Sequence, residues 1–237
     1  NQEDYHKGDF KHFMAKEIEE QPITLKNCIN EYINNISNDI NIYNFPWKIN
    51  EISSVTLIGC GTAYHSCLMA KYWFEELTTI DVNVDIASEF RYRNVKLNTN
   101  DLYIFVSQSG ETADTLSAIR MAKEYGALTV GICNVVGSSI ARETDCGIYT
   151  HAGPEIGVAS TKAFTAQLSV LYLLALYFGR KNGMSKSVGQ KLAKAMWDIN
   201  GQVEKVMANS KKNIEKKGPG KNLLREQKAL QDDLQLK

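Results

Sequence analysis

Three side-chain hydroxyls fall within the six residues Ser107-Gln108-Ser109-Gly110-Glu111-Thr112. Hydroxyls both donate and accept hydrogen bonds, and a glycine among them lets backbone come close to a ligand. The run follows an apolar segment, residues 102–106, of the kind expected of a buried strand. It precedes a helical period over 113–125 that places Leu116, Ile119, Ala122 and Tyr125 on one side. A strand therefore enters a hydroxyl-rich loop, and the loop opens a helix. The first N–H groups of a helix have no partner within it and carry partial positive charge. The chemistry expected of such a loop is a phosphate cradle. The same residues have a second use, capping the helix; three hydroxyls in six residues are more than one cap needs.

Two further loops share this composition. Residues 55–58 predict a short strand that ends in Gly59-Cys60-Gly61-Thr62-Ala63-Tyr64, ahead of a helical pattern from about His65 to Leu77. Gly59-x-Gly61 is two-thirds of a dinucleotide fingerprint, but Tyr64 stands where the third glycine is needed for close helix–strand packing. Asp81 and Asp85 lie near the distance of a ribose-binding acid and do not restore that case. The third loop runs from Gly153 through Glu155-Ile156-Gly157-Val158-Ala159-Ser160-Thr161-Lys162, ahead of a strongly apolar helix over 163–178. Ser160 as a nucleophile with Lys162 is conceivable, yet the serine–lysine motif needs its lysine three positions on, where Ala163 stands.

The elements that position these loops alternate along the chain. Strands are expected at 55–58, 82–86, 102–106, 128–133 and 147–150. Helices are expected at 62–77, 111–125 and 160–178, with short ones after Ala87 and at 138–142. Such alternation predicts a parallel sheet covered on both faces, with ligands beyond the carboxyl ends of its strands. All three hydroxyl-rich loops fall at strand C-termini, so one crevice can receive them all. Before the sheet come a polar, helix-leaning segment over 10–36 and an Asn-rich connector over 34–50. After Lys186 one long helix is expected, to about Lys217.

Four ordered segments resemble the sugar isomerase (SIS) domain. They are Cys60-Gly61-Thr62, Ala87-Ser88-Glu89-Phe90-Arg91-Tyr92-Arg93, the run from Ser107 to Thr115, and Glu155 to Thr165. The chain is more closely similar to the first of two SIS repeats in the glutamine–fructose-6-phosphate amidotransferases, from about Phe10 to about Arg180, including Lys16-Glu17-Ile18 and Glu20-Gln21-Pro22. The resemblance implies a five-stranded parallel, flavodoxin-like, doubly wound domain with flanking helices. It implies an N-terminal helical segment and connector at 1–50, the phosphosugar-binding SIS domain at 51–183, and a C-terminal helical segment at 184–237. It further implies that Ser107, Gln108, Ser109 and Thr112 hold the phosphate of fructose 6-phosphate or glucosamine 6-phosphate, while Thr62, Val158 and Ser160 line the sugar. Ala63 departs from a serine common at that position and removes one possible hydroxyl contact. The family's glutaminase domain and second SIS repeat have no counterpart, and near residue 220 the chain reads Gly218-Pro219-Gly220 and then a charged helical pattern. The chain is expected to be a fragment, with no catalytic residue of its own and no turnover alone. A homodimer is expected, with residues 163–178 and 185–217 exposing apolar surface.

Two other classes remain to be weighed. A non-catalytic phosphosugar sensor normally carries a basic DNA-binding segment, and none precedes this core. A stand-alone isomerase needs its own base, for which Glu89, Glu111, Glu155, His65 and His151 are the nearby candidates. Lys and Arg number 27 and Asp and Glu 27, so nothing points to nucleic acid or an anionic membrane surface. An anionic ligand must be held by local dipoles and hydroxyls. An apolar fraction of 43% supports a real core. The five cysteines, Cys28, Cys60, Cys67, Cys133 and Cys146, form no disulfide framework, and a reducing cytoplasm is expected. Cys60, His65 and Cys67 match no zinc spacing, so neither metal nor cofactor is expected. Residues 158–178 come nearest to a membrane span but carry Ser160, Lys162, Gln167 and other polar interruptions, and no signal peptide is visible.

Overall fold

The computed structural model describes residues 6–217, and the Gly-Pro-Gly stretch with the charged pattern after it lies outside them. Five apolar runs form one parallel sheet: β1 Ser54–Gly59, β2 Asp81–Ile86, β3 Asp101–Ser107, β4 Leu128–Cys133 and β5 Cys146–Tyr149. Their order is β2-β1-β3-β4-β5. The central strand β3 is buried along its whole length. Its side chains alternate between two cores: Leu102, Ile104 and Val106 on one face, Tyr103 and Phe105 on the other. A strand buried on both faces must be continuously apolar, which is why residues 102–106 show no polar alternation.

Helices cover both faces. On one side pack α2 (Gln21–Tyr32), α3 (Thr62–Leu77), α7 (Lys162–Lys181) and α8 (Lys186–Trp197). On the other are α4 (Ala87–Phe90), α5 (Ala113–Glu124) and α6 (Ser139–Glu143). A short helix α1 (Phe13–Glu19) leads into α2, which begins with Pro22 in its first turn, where a missing N–H costs nothing. The Tyr32 hydroxyl, from the end of α2, accepts the N–H of Tyr149 at 2.9 Å and donates to its carbonyl at 2.5 Å, pairing backbone groups on edge strand β5.

Two expectations change. Helix α7 does not expose its apolar side chains: Val170, Leu171, Leu173, Leu174, Leu176 and Phe178 are all fully buried, covered by α2, α3, α8 and the sheet. Its 20 residues have the length and hydropathy to cross a membrane, but 72% of its most apolar stretch is buried within this fold. The long helix expected after Lys186 is also broken. Backbone at Asp198 turns to φ −86°, ψ −5°, so α8 stops and a new helix α9 (Ile199–Lys217) starts. Asn200 and Gly201, weak helix formers, lie in the first turn of α9. The described residues up to 200 pack as one compact unit, and the described part of 201–237 continues as the helix to Lys217.

Candidate functional site

Strand register brings the three loops together. Gly59 of β1 pairs with Val106 of β3, Ser107 with Cys133 of β4, and Cys133 with Tyr149 of β5. The strands therefore end level, and the loops that follow β1, β3 and β5 leave the same edge of the sheet. The first two flank the point where the strand order reverses, between β1 and β3, the usual ligand position in open α/β sheets.

A cavity of about 240 Å³ opens there, and all seven residues singled out in the sequence line it. Thr62 comes from the start of α3, Ser107, Gln108, Ser109 and Thr112 from the loop after β3, and Val158 and Ser160 from the loop before α7. Val158 is exposed at the rim and Ser107 is buried. A larger hollow of about 840 Å³ lies between α2, the Asn-rich connector and Trp197. None of the three loops reaches it.

The loop after β3 is internally braced. The Gly110 N–H donates to Ser107 Oγ at 3.0 Å and the Glu111 N–H to Ser109 Oγ at 3.2 Å. Ser107 Oγ and Thr112 Oγ1 share a hydrogen bond of 3.1 Å. Each serine oxygen thus uses a lone pair inside the loop, which leaves the Ser109 O–H free to donate outward. Thr112 is the N-cap residue of α5, yet its side chain makes no capping bond. Ser107, Ser109 and Thr112 all line the cavity, and none of them serves as a side-chain cap of α5. Gly110 sits at φ +69°, and Gly61, the N-cap of α3, at φ +57°, ψ −131°, conformations an L side chain rarely adopts.

Among the described residues no Lys or Arg lines the cavity. The nearest cation in sequence, Lys162, is buried with its Nζ 2.7 Å from Glu20, so it does not activate Ser160. The Ser160 hydroxyl donates to Glu155 at 3.0 Å. Positive potential in the cavity comes from the uncapped starts of α3 and α5. The start of α7 is closed by Glu155, which accepts the N–H groups of Thr161 at 2.9 Å and Ala163 at 3.1 Å. Of the five candidate bases, Glu155 alone reaches the cavity. Glu111 accepts the Ser139 N–H at 2.7 Å, a bond that holds its carboxyl below the ordinary range. His65 packs on Tyr64, and His151 on Tyr32 and Tyr149.

Residues outside the predicted set position the loops. Asn134, at the end of β4, donates its N–H to the Gln108 carbonyl at 3.2 Å. Its side chain accepts from Thr150 Oγ1 and the Ala152 N–H and donates to the Gly153 carbonyl. One residue, through its backbone N–H and its side chain, therefore ties the second loop to the third. Glu17 of α1, almost fully buried, accepts the N–H groups of Ile156 at 2.6 Å and Gly157 at 2.9 Å. Gln167 of α7 forms part of the cavity wall. An available signal for Asn134 was its place at a strand C-terminus, and for Gln167 a lone amide in an apolar helix. For Glu17 no local signal exists, since its partners lie about 140 residues away.

All five cysteines are free thiols, and Cys60 lines the cavity. Burial pushes the Cys28 thiol up to about 12 and those of Cys133 and Cys146 to about 11, and raises Cys67 as well. Because the thiolate is the reactive form, a disulfide reagent at neutral pH should modify Cys60 rapidly and the other four only after unfolding. Fast modification of two or more thiols in the native chain would contradict this burial pattern.

Among the described residues, then, the molecule is a doubly wound α/β domain with a hydroxyl-lined cavity at the β1/β3 switch point. The chain belongs to the SIS domain family, which matches residues 48–177. It is similar to the glutamine–fructose-6-phosphate aminotransferase (isomerizing) of Chlorobaculum tepidum, with 49% identity over 76% of this chain and 30% of that protein. It is similar to the same enzyme of Escherichia coli K12, with 42% identity over 87% of this chain and 34% of that protein. The solved C-terminal domain of glucosamine-fructose-6-phosphate aminotransferase from Francisella tularensis superposes with a TM-score of 0.78 at 37% identity, covering 83% of this chain and 55% of that one. The chain thus spans about a third of the length of these curated relatives.

Proposed function

We propose that this chain is a phosphosugar-binding repeat that holds fructose 6-phosphate or glucosamine 6-phosphate. In this reading Ser107, Gln108, Ser109 and Thr112 bind the phosphate, and Thr62, Val158 and Ser160 line the sugar. The observation that carries the reading is the convergence of hydroxyls and uncapped helix starts from separate loops on one cavity without a cation. Such a site selects a small anion by hydrogen-bond geometry.

The repeat serves a larger enzyme that makes glucosamine 6-phosphate from fructose 6-phosphate and glutamine, with a glutaminase domain and a second SIS repeat as its partners. Binding at the remote phosphate orients the sugar's first carbons for chemistry by groups beyond the described residues. The binding domain proper is residues 51–183, flanked by 1–50 and 184–237. The working assembly is a homodimer. Its support shifts from α7 to α3, where Leu68, Met69 and Tyr72 stand exposed at helical spacing. Nucleic acid and membranes are not partners, consistent with the zero net charge, and five free thiols suit a reducing cytoplasm.

Calorimetry of the purified chain with fructose 6-phosphate should show one saturable site. Ser109→Ala removes a hydroxyl that would donate to a charged oxygen, a bond worth roughly 1.5–3 kcal/mol. Affinity should fall about tenfold or more with the fold intact. Phosphate density in a soaked crystal far from residues 107–112 would sink the reading.

A further inference from the structure

Gln167 is an anomaly in its helix. It is 2% exposed, inside the strongly apolar helix α7, and its Oε1 has no hydrogen-bond partner among the described residues. A buried acceptor without a donor carries a desolvation cost that a Leu or Met at the same place avoids. The residue also lines the 240 Å³ cavity, as do Ala63 and Val106, whose apolar side chains supply no donor. The lining hydroxyls of Ser107 and Thr112 are engaged with each other, and that of Ser160 with Glu155. None of the lining groups, the free O–H of Ser109 included, hydrogen-bonds Oε1, so a donor from the cavity's contents would complete it.

Resting on the reading of this cavity as a phosphosugar site, we propose that Gln167 is a substrate contact that recognises a hydroxyl of the sugar chain and not the phosphate. The chemistry separates the two. A phosphate monoester is largely dianionic at neutral pH and presents acceptor oxygens. It therefore satisfies the serine and threonine O–H groups and the helix N–H groups, but offers no donor to a carbonyl oxygen. A sugar hydroxyl does. The loop after β3 thus selects the anion, and the wall of α7 selects a hydroxylated carbon chain. An alkyl phosphate of equal length would meet the first requirement and fail the second.

The test titrates the purified chain with three probes: inorganic phosphate, hexyl phosphate and fructose 6-phosphate. Wild-type protein should bind the sugar phosphate about five- to tenfold more tightly than hexyl phosphate, the range expected of one neutral hydrogen bond. Gln167→Met keeps length and volume and removes the acceptor. It should lose about that same factor for fructose 6-phosphate alone, keep its affinity for the other two probes, and melt no lower than wild type without ligand. Unchanged affinity of Gln167→Met for fructose 6-phosphate would overturn the inference while leaving the phosphate site standing. Should that variant not fold, equal wild-type affinity for hexyl phosphate and fructose 6-phosphate would overturn it equally. Failure of wild type to bind any of the three would overturn the phosphosugar reading and this inference with it.

Discussion

Gly110→Ala should abolish phosphosugar binding. Gly110 lies at φ +69°, and a Cβ added there would fall on the Oγ and Cβ of Ser138, far inside contact distance, with Cys133 Sγ at 3.4 Å. Ser138 is buried at the start of α6, so it has little room to retreat. The added carbon therefore meets both a disfavoured backbone conformation and an occupied volume. Overpacking of this kind costs about 1–3 kcal/mol, and a positive φ adds to it. The loop relieves the conflict by moving, which breaks the Gly110 N–H bond to Ser107 and carries Ser109 and Thr112 off the cavity. Two lost hydrogen bonds to a charged phosphate amount to about 3–6 kcal/mol, so affinity should drop more than a hundredfold. Calorimetry measures this directly, with thermal melting as the control for folding. Binding within tenfold of wild type would show that the loop is not the phosphate cradle.

The second large effect is expected far from the cavity, in α1. Glu17→Ala removes the carboxylate that holds the N–H groups of Ile156 and Gly157. Both sit in the loop that carries Val158 and Ser160 to the site. Leaving two donors without partners costs about 1–3 kcal/mol each where water does not replace the carboxylate. Denaturant unfolding should report a loss of roughly 2–5 kcal/mol on that basis. Sugar-phosphate affinity should fall as well, while affinity for inorganic phosphate should hold, because the loop after β3 has its own supports in Asn134 and Ser139. Glu17→Gln keeps one acceptor oxygen and should recover part of the stability. A stability change below about 0.5 kcal/mol in Glu17→Ala, the range of an ordinary surface substitution, would mean that α1 is ornamental to the site.

Local chemistry was enough to read much of this molecule. Strand and helix periods depend on residues within a turn or a pleat of one another, so the five strands and the principal core helices appear near their expected positions. The alternation of the elements implies a parallel sheet, and placing the hydroxyl-rich loops after strands implies a shared crevice. Seven of the residues lining the cavity follow from that logic together with the family resemblance. What could not be read in this way depends on partners distant along the chain. The burial of α7 requires α2, α3 and α8 to cover it, so its composition alone left its surroundings open. Whether Thr112 caps α5 is a matter of side-chain direction, and its hydroxyl bonds Ser107 across the loop instead of capping the helix. The role of Glu17 rests on two N–H groups about 140 residues away. Gln167 becomes informative only as a buried acceptor that nothing inside the fold satisfies. Sequence alone determined which backbone segments are strands, helices and anion-prone loops, because those preferences arise from neighbouring residues. Tertiary structure alone decided which polar groups are already paired and which are left for a ligand, because that balance is settled only when distant segments pack together.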